Sequence, residues 1–341
     1  MAHKNEIPIL ATSFLITLGI ATGGLWWLFQ ENQSQPASSS QPALQAPDTF
    51  SALEEVPTGL FRYGGSTTWA PIRENIDPII QQTHSEFRLH YIKPISGTPG
   101  SGNGIKMLLN SQVAFAQSAR PLKEQEYELA QARGYTLRQI PVAIDAIAIT
   151  VNPELNVSGL TVQQLQDIYT GEITNWQEVG GPNLPIIPYS RRIQNEGTVE
   201  FFLENLINAE QFGSNVKYVD RTAIALRNVA ANRGAIYYTS ARQRVPQCSV
   251  KSLPIARQGK ALVPPYQEPF VSEEVCRKQR IRYKLNFNKF HNGKYPLTRR
   301  LFVIVKENGE VHQQVGKAYA RLLLTDQGQH LIRQAGFANI R

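Results

Sequence analysis

Apolar residues recur at helical spacing in three stretches of the chain: Ile72, Ile76, Ile79 and Ile80; Ile105, Leu108 and Leu109; and Val199, Phe202, Leu203 and Leu206. Each set forms one stripe of a 3.6-residue period and predicts an amphipathic helix. Two other stretches are apolar without helical spacing. Residues 142–151, interrupted by Asp145, and residues 301–305 read as strands buried on both faces. The segment 160–176, LTVQQLQDIYTGEITNW, predicts a further helix, with Leu165, Ile168 and Tyr169 turned inward and Gly171 ending it. Short apolar strands alternating with helical patterns mark an α/β fold with parallel strands. Strands 142–151 and 301–305 are the expected crossings between two lobes, the first taking 50–145 plus 301–341 and the second 146–300.

The beginning of the chain has a different pattern. Residues 7–29 carry no charge and as a helix would reach roughly 35 Å, enough to cross a bilayer core. The run ends in Leu25-Trp26-Trp27-Leu28-Phe29, an aromatic interface anchor with no A-x-A cleavage pattern after it. An uncleaved N-terminal transmembrane helix is therefore expected ahead of a cleaved signal peptide. Lys4 and the amino terminus on one side, with Glu31 on the other, place residues 1–6 in the cytoplasm and the rest outside it. Residues 30–49, rich in Gln, Ser, Pro and Ala, read as a flexible linker.

Composition narrows the function classes. With 341 residues and 42% hydrophobic content the chain can bury a sizeable core, which excludes a disordered adaptor. The net charge of +8 comes from basic residues scattered among acidic ones, so no nucleic-acid partner is expected, while an anionic ligand is well suited. The six histidines have no metal-ligand spacing, and no G-x-S-x-G elbow or base accompanies Ser101, so neither metal, cofactor nor enzyme is expected. Cys248 and Cys276 fit no zinc or redox motif. In an oxidising compartment a disulfide between them and a pair of unbonded structural thiols are both open.

Three polar clusters each head a helical stripe. In Gly64-Gly65-Ser66-Thr67-Thr68-Trp69, glycines let a ligand approach the backbone, while hydroxyls and helix N–H groups offer donors to an oxyanion; a capped helix after a tight turn has the same pattern. Gly97-Thr98-Pro99-Gly100-Ser101-Gly102-Asn103-Gly104 fails the Walker A pattern, because Ile105 separates Gly104 from Lys106, and is either an anion loop or a flexible one. Arg191-Arg192-Ile193-Gln194-Asn195-Glu196-Gly197-Thr198 adds guanidinium groups, whose planar fork can form two charge-assisted bonds to an oxyanion.

From residue 59 to the end the chain resembles the phosphate-binding proteins of bacterial phosphate ABC transporters, the PstS-like family. The three clusters carry the resemblance, together with Phe115-Ala116-Gln117-Ser118-Ala119-Arg120-Pro121-Leu122, the segment 160–176 and the segment 323–340. It implies a type II periplasmic-binding-protein fold, two α/β lobes joined by a two-crossing hinge and closing on the anion. It also implies a ligand set of Thr68, Trp69, Ser101, Arg192, Gly197 and Thr198, with Ser118 and Arg120 beside it in either a binding or a structural role. The implied activity is capture of inorganic phosphate or a related oxyanion outside the cytoplasm, followed by delivery to an ABC permease or, alternatively, signalling to a sensor. Two positions depart from the family. Ala119 stands where its phosphate proteins have an aspartate that accepts the phosphate proton, and Glu196 stands where they have a serine. Glu196 either takes over the aspartate's part or faces solvent or a neighbouring arginine, in which case ligand choice is altered.

Overall fold

The computed structural model describes residues 48–192, 197–208, 211–244, 248–268, 273–279 and 283–340. The expected membrane segment 7–29 and most of the linker lie outside them. Among the described residues no helix is long and apolar enough to cross a membrane.

Strand β1 (Gly59–Gly65) pairs in parallel with β2 (Phe87–Tyr91) and β3 (Phe115–Ser118). The β1–β2 crossover carries the isoleucine stripe predicted as one helix, which is instead two, Ala70–Asn75 and Asp77–Thr83, with Ile76 between them. Pro78 accounts for the break: it has no N–H to continue the ladder and disfavours helical geometry at the residue before it. The β2–β3 crossover is the helix Ser101–Leu109. After β3 comes β4 (Thr136–Val151), followed by β5 (Leu160–Thr161), β6 (Ile187–Ser190), β7 (Lys217–Tyr218), β8 (Ala235–Ser240), β9 (Lys251–Leu253), β10 (Ile255–Ala256) and β11 (Thr298–Glu307). The main sheet runs β2, β1, β3, β11, β4, β8, β6, β7, with β9 also on β4, while β5 and β10 pair apart.

The two apolar runs expected as crossings are the C-terminal part of β4 and the central part of β11, strands that lie antiparallel side by side. Both strands are longer than their apolar runs. β4 starts at Thr136, and Pro141 is accommodated because the register shifts beside it: Ala143 faces Leu301 and Pro141 faces Phe302, leaving Val142 as the extra residue of a bulge. Beyond Ala146 β4 leaves β11, and Ile147–Val151 pairs with β8 and, from Ile149, also with β9. One strand thus belongs to two sheets, each with its own cores.

Period-two alternation on β11 builds the first pair of cores. Val303 and Val305 face a core with Trp69, Ile72, Ile76 and Tyr319, and Phe302 and Ile304 face another with Ile105, Leu108 and Leu137. On β8, Ile236 and Tyr238 pack with Leu165, Ile168, Tyr169 and Phe202, and Ala235 and Tyr237 pack with Leu226 and Val229. The helix Val162–Thr170 buries the residues expected of it, starts at a Thr161–Gln164 capping box and stops at Gly171 with φ +95°. Cys248 and Cys276 form a disulfide with a Cα–Cα distance of 5.6 Å.

Gly65, with φ +129°, ends β1 where a Cβ would come within 2.1 Å of the Gln117 carbonyl oxygen. Gly65→Ala should therefore destabilise the protein by about 3 kcal/mol or more, from both strain and overlap. Gly134→Ala, at φ +81° with open space around it, should cost only about 1 kcal/mol. Urea unfolding of both variants checks the contrast, and equal losses would contradict the close approach at Gly65.

Candidate functional site

The parallel strands β1 and β3 end side by side, and the chain turns at both ends over the start of the helix Ser101–Leu109. The approach is close because both sides are glycine: a Cβ on Gly104 would lie 2.4 Å from the Gly65 Cα. After Gly65, the Ser66 side chain caps the turn Thr67–Trp69 by accepting from the Thr68 N–H at 3.3 Å, and Pro71 fits the helix start that follows. The Trp69 indole N–H donates to the Ser118 carbonyl at 3.0 Å. Ser101 Oγ accepts from the Ala119 N–H, also at 3.0 Å. Thr68, Trp69, Ser101 and Ser118 are thereby gathered at the carboxyl ends of the strands, where open α/β sheets hold their ligands.

Two neighbours are occupied locally. The Ser118 hydroxyl donates to the Arg120 carbonyl at 2.7 Å. Arg120 is buried, forms a fork to Glu126 at 2.8 and 3.0 Å and donates to the Pro121 carbonyl at 2.9 Å, so its charge is matched by the helix Glu124–Gln131.

The third cluster follows β6. Gly197 opens the helix Gly197–Phe201, which continues as a π-type turn Phe202–Leu206, and Thr198 sits in its first turn. Glu196 lies outside the described residues. Arg192 is exposed, with its guanidinium 5.2 Å from the ring centre of Tyr218 on β7. The group that meets Thr198 is a different arginine.

Arg299 lies on β11 directly opposite Asp145 on β4. Its Nε and Nη2 donate to Asp145 Oδ2 at 3.0 and 2.8 Å, and both side chains are 1% exposed. The same Nη2 lies 3.0 Å from Thr68 Oγ1 and 2.9 Å from Thr198 Oγ1. Ser240 Oγ donates to the other Asp145 oxygen at 2.7 Å, and the Phe201 ring centre lies 5.1 Å from the guanidinium carbon. Hydroxyls from the β1 turn and from the helix after β6 thus meet at one cationic nitrogen. Their hydrogens remain available to an incoming acceptor.

A second arginine bears on this point. Arg242, in the helix Ala241–Arg244, lies 5.4 Å from the Phe337 ring centre and has a buried Nε with no hydrogen-bond partner. Burial holds its pKa below the ordinary arginine value, while the fields of Asp145 and Glu74 act the other way. Neither Arg299 nor Arg242 is among the residues expected from sequence. The visible signal for the first was Asp145, a lone charge inside an apolar strand that needs a partner when buried.

A model of the PBP superfamily domain matches residues 41–327. The chain is 27% identical to protein SphX of Synechococcus elongatus over 67% of its own length and 73% of that protein's. It is 26% identical to the phosphate-binding protein PstS of Staphylococcus epidermidis over 78% of its length and 74% of that protein's. Among solved structures, an ABC-type phosphate transport receptor from Vibrio cholerae superposes with a TM-score of 0.65 at 23% identity, covering 82% of this chain and all of that one. PstS from Borrelia burgdorferi superposes with a TM-score of 0.57 at 21% identity, covering 83% of this chain and 99% of that one. The family model spans both groups of cores and the strands that join them, and on that match the chain belongs to the PBP superfamily.

Proposed function

We propose that the protein is an extracytoplasmic solute-binding protein that holds inorganic phosphate between two lobes at Arg299 and delivers it to an ABC permease. The observation that carries this reading is the convergence of Thr68 and Thr198, from separate groups of cores, on a single Arg299 nitrogen. An oxyanion entering there replaces two neutral oxygen acceptors of Arg299 with charged ones, and the threonine hydroxyls turn to donate to it. The bonds to Arg299 are already charge-assisted on the donor side, and the oxyanion makes them so on both sides. Ser101 and the N–H groups after Gly197 complete the proposed shell, with Trp69 as its wall. Ser118 and Arg120 support it from behind through the bonds they already make.

The lobes in this reading are 50–145 with 301–341, and 146–300. Because the donors come from both, the anion favours the closed arrangement, and ligand energy becomes closure energy. Phosphate is favoured because the relatives bear the names phosphate-binding protein and phosphate transport receptor. Capture without chemical change also agrees with those names. Arg299 takes the part that the resemblance gave to Arg192, and both Asp145 oxygens are already engaged, by Arg299 and by Ser240, so neither is left as an unpaired acceptor facing the anion.

Calorimetry on the purified protein tests the ligand set. Thr68→Val and Thr198→Val should each weaken phosphate binding about tenfold or more, the worth of one hydrogen bond to a charged group. Arg299→Lys, which keeps a charge beside Asp145 but loses the fork, should weaken it about a hundredfold. Arg192→Ala should change it less than about threefold, as for an exposed charge. Loss of binding in Arg192→Ala with the threonine variants unaffected would move the site away from Arg299.

The uncharged run 7–29 and its aromatic end support membrane attachment by an uncleaved helix, with 1–6 inside and 30–49 as spacer. The full-length protein should stay with the membrane pellet through an alkaline wash and be released when 7–29 is deleted. A shortened protein in the soluble exported fraction would identify a cleaved signal instead.

A further inference from the structure

Behind the β1 turn an unbroken chain of hydrogen bonds leads to a buried carboxylate. Asp77, at the start of the helix Asp77–Thr83, is 5% exposed and takes both its bonds from tyrosines. Tyr63 of β1 donates to Oδ2, and Tyr319 of the helix Val311–Leu323 donates to Oδ1 at 2.8 Å. The Tyr319 oxygen accepts from the Gln117 amide nitrogen at 2.9 Å. The Gln117 amide oxygen accepts from Arg73 Nη1 at 2.8 Å, and the same Nη1 donates to the Ser66 carbonyl at 3.0 Å. Ser66 is the residue whose side chain caps Thr68. Arg73 is also held against the Tyr91 ring at 3.9 Å, and Tyr91 donates to the Gly65 carbonyl at 3.0 Å.

The direction of every bond in this chain follows from the charge at its end. An ionised carboxylate only accepts, so both tyrosine hydroxyls must point at Asp77. The Tyr319 oxygen is then left as an acceptor, which fixes the Gln117 amide with its NH2 towards Tyr319 and its oxygen towards Arg73. A protonated Asp77 must donate, so one tyrosine has to turn and accept. Among the described residues the Tyr63 hydroxyl bonds only Asp77, and turning it would strand a buried O–H. Tyr319 has a second neighbour in Gln117. Its hydroxyl can turn there if the amide reverses, which sets the Gln117 NH2 against Arg73 and takes away one of the two acceptors that place Arg73 at the Ser66 turn.

We propose that Asp77, Tyr319, Gln117 and Arg73 form a proton-sensitive positioning relay that sets the Ser66–Trp69 turn for the anion, an inference that rests on the anion-site reading above. The groups facing Asp77 are Tyr63 from β1, Tyr319 from the helix packed over it and Arg73 from the preceding helix. Burial raises the Asp77 pKa from 3.8 to about 6, against the opposing effects of the two tyrosine bonds and Arg73, so the switch falls within the range a cell compartment can reach. The sign follows from linkage: the ionised form holds the turn, so anion binding lowers the Asp77 pKa and affinity rises as pH rises through about 6. Plain repulsion between Asp77 and the anion would give the opposite slope.

Phosphate affinity of the purified protein, measured by calorimetry from about pH 5 to about pH 8, tests the relay in wild type, Asp77→Asn and Gln117→Leu. Phosphate's own ionisation affects all three alike and cancels in the ratios. Wild type should tighten across this range by about fivefold more than either variant, the low end of coupling between linked sites. Gln117→Leu leaves the carboxylate in place and carries the test if Asp77→Asn fails to fold. Parallel profiles for wild type and Gln117→Leu would overturn the relay. A second readout needs no ligand: the Gln117 side-chain amide resonance should titrate with Asp77 in wild type. A resonance that does not move overturns the relay, whereas a titrating amide in a protein that binds no phosphate at any pH upholds the relay and removes the anion reading.

Discussion

A guanidinium buried where two long strands lie side by side must be neutralised and supplied with acceptors, and Arg299 meets both demands across the β4–β11 ladder. Asp145 faces it in register and takes two of its N–H groups. Removing either partner alone would leave an uncompensated buried charge, at a cost of about 3–5 kcal/mol. The pair is therefore fixed by folding before any ligand arrives. What remains adjustable is the set of neutral acceptors at Arg299 Nη2, the hydroxyls of Thr68 and Thr198.

That arrangement depends on one strand serving two sheets. β4 runs beside β11 up to Ala146 and then passes to β8 and β9, so the ion pair sits where the first group of cores gives way to the second. Each group contributes one threonine through its own loop. The β1 turn presents Thr68 because Gly65 and Gly104 let the helix Ser101–Leu109 approach without side chains between. The helix after β6 presents Thr198, with Phe201 and Phe202 packed beneath it and Phe202 stacked on Tyr238 at 3.6 Å. Ser240, at the end of β8 and just past Tyr238, holds the far oxygen of Asp145, so the packing of the second group and the charge at the site are connected.

Much of the scaffold was legible in the sequence because periodicity reports which faces are buried. The helix at Leu165, the two buried apolar strands and the polar loops at Thr68, Ser101 and Thr198 all follow from local pattern or from motif. Local break signals were harder to weigh: Pro78 splits the isoleucine stripe into two helices, while Pro141 is absorbed by a bulge within a strand. Arg299 itself was not named by any local pattern. It is 154 positions from Asp145, and only the register of two paired strands brings them together. Arg192, the arginine implied by the resemblance, lies exposed over Tyr218. Asp145 was the one trace of the proposed site: a charge inside an apolar run implies a partner without naming it.

The Asp77 chain extends the same logic inward, since a buried carboxylate fixes the direction of every donor between itself and the Ser66 turn. The central claim is narrower: the anion binds between Thr68 and Thr198 on Arg299. A crystal structure of the phosphate complex tests it most directly. Phosphate oxygens within hydrogen-bond distance of Arg299 and of both threonine hydroxyls, with the Arg299–Asp145 pair intact, are the predicted result. Phosphate held by Arg192, with Arg299 still bonded to both threonines, would contradict it.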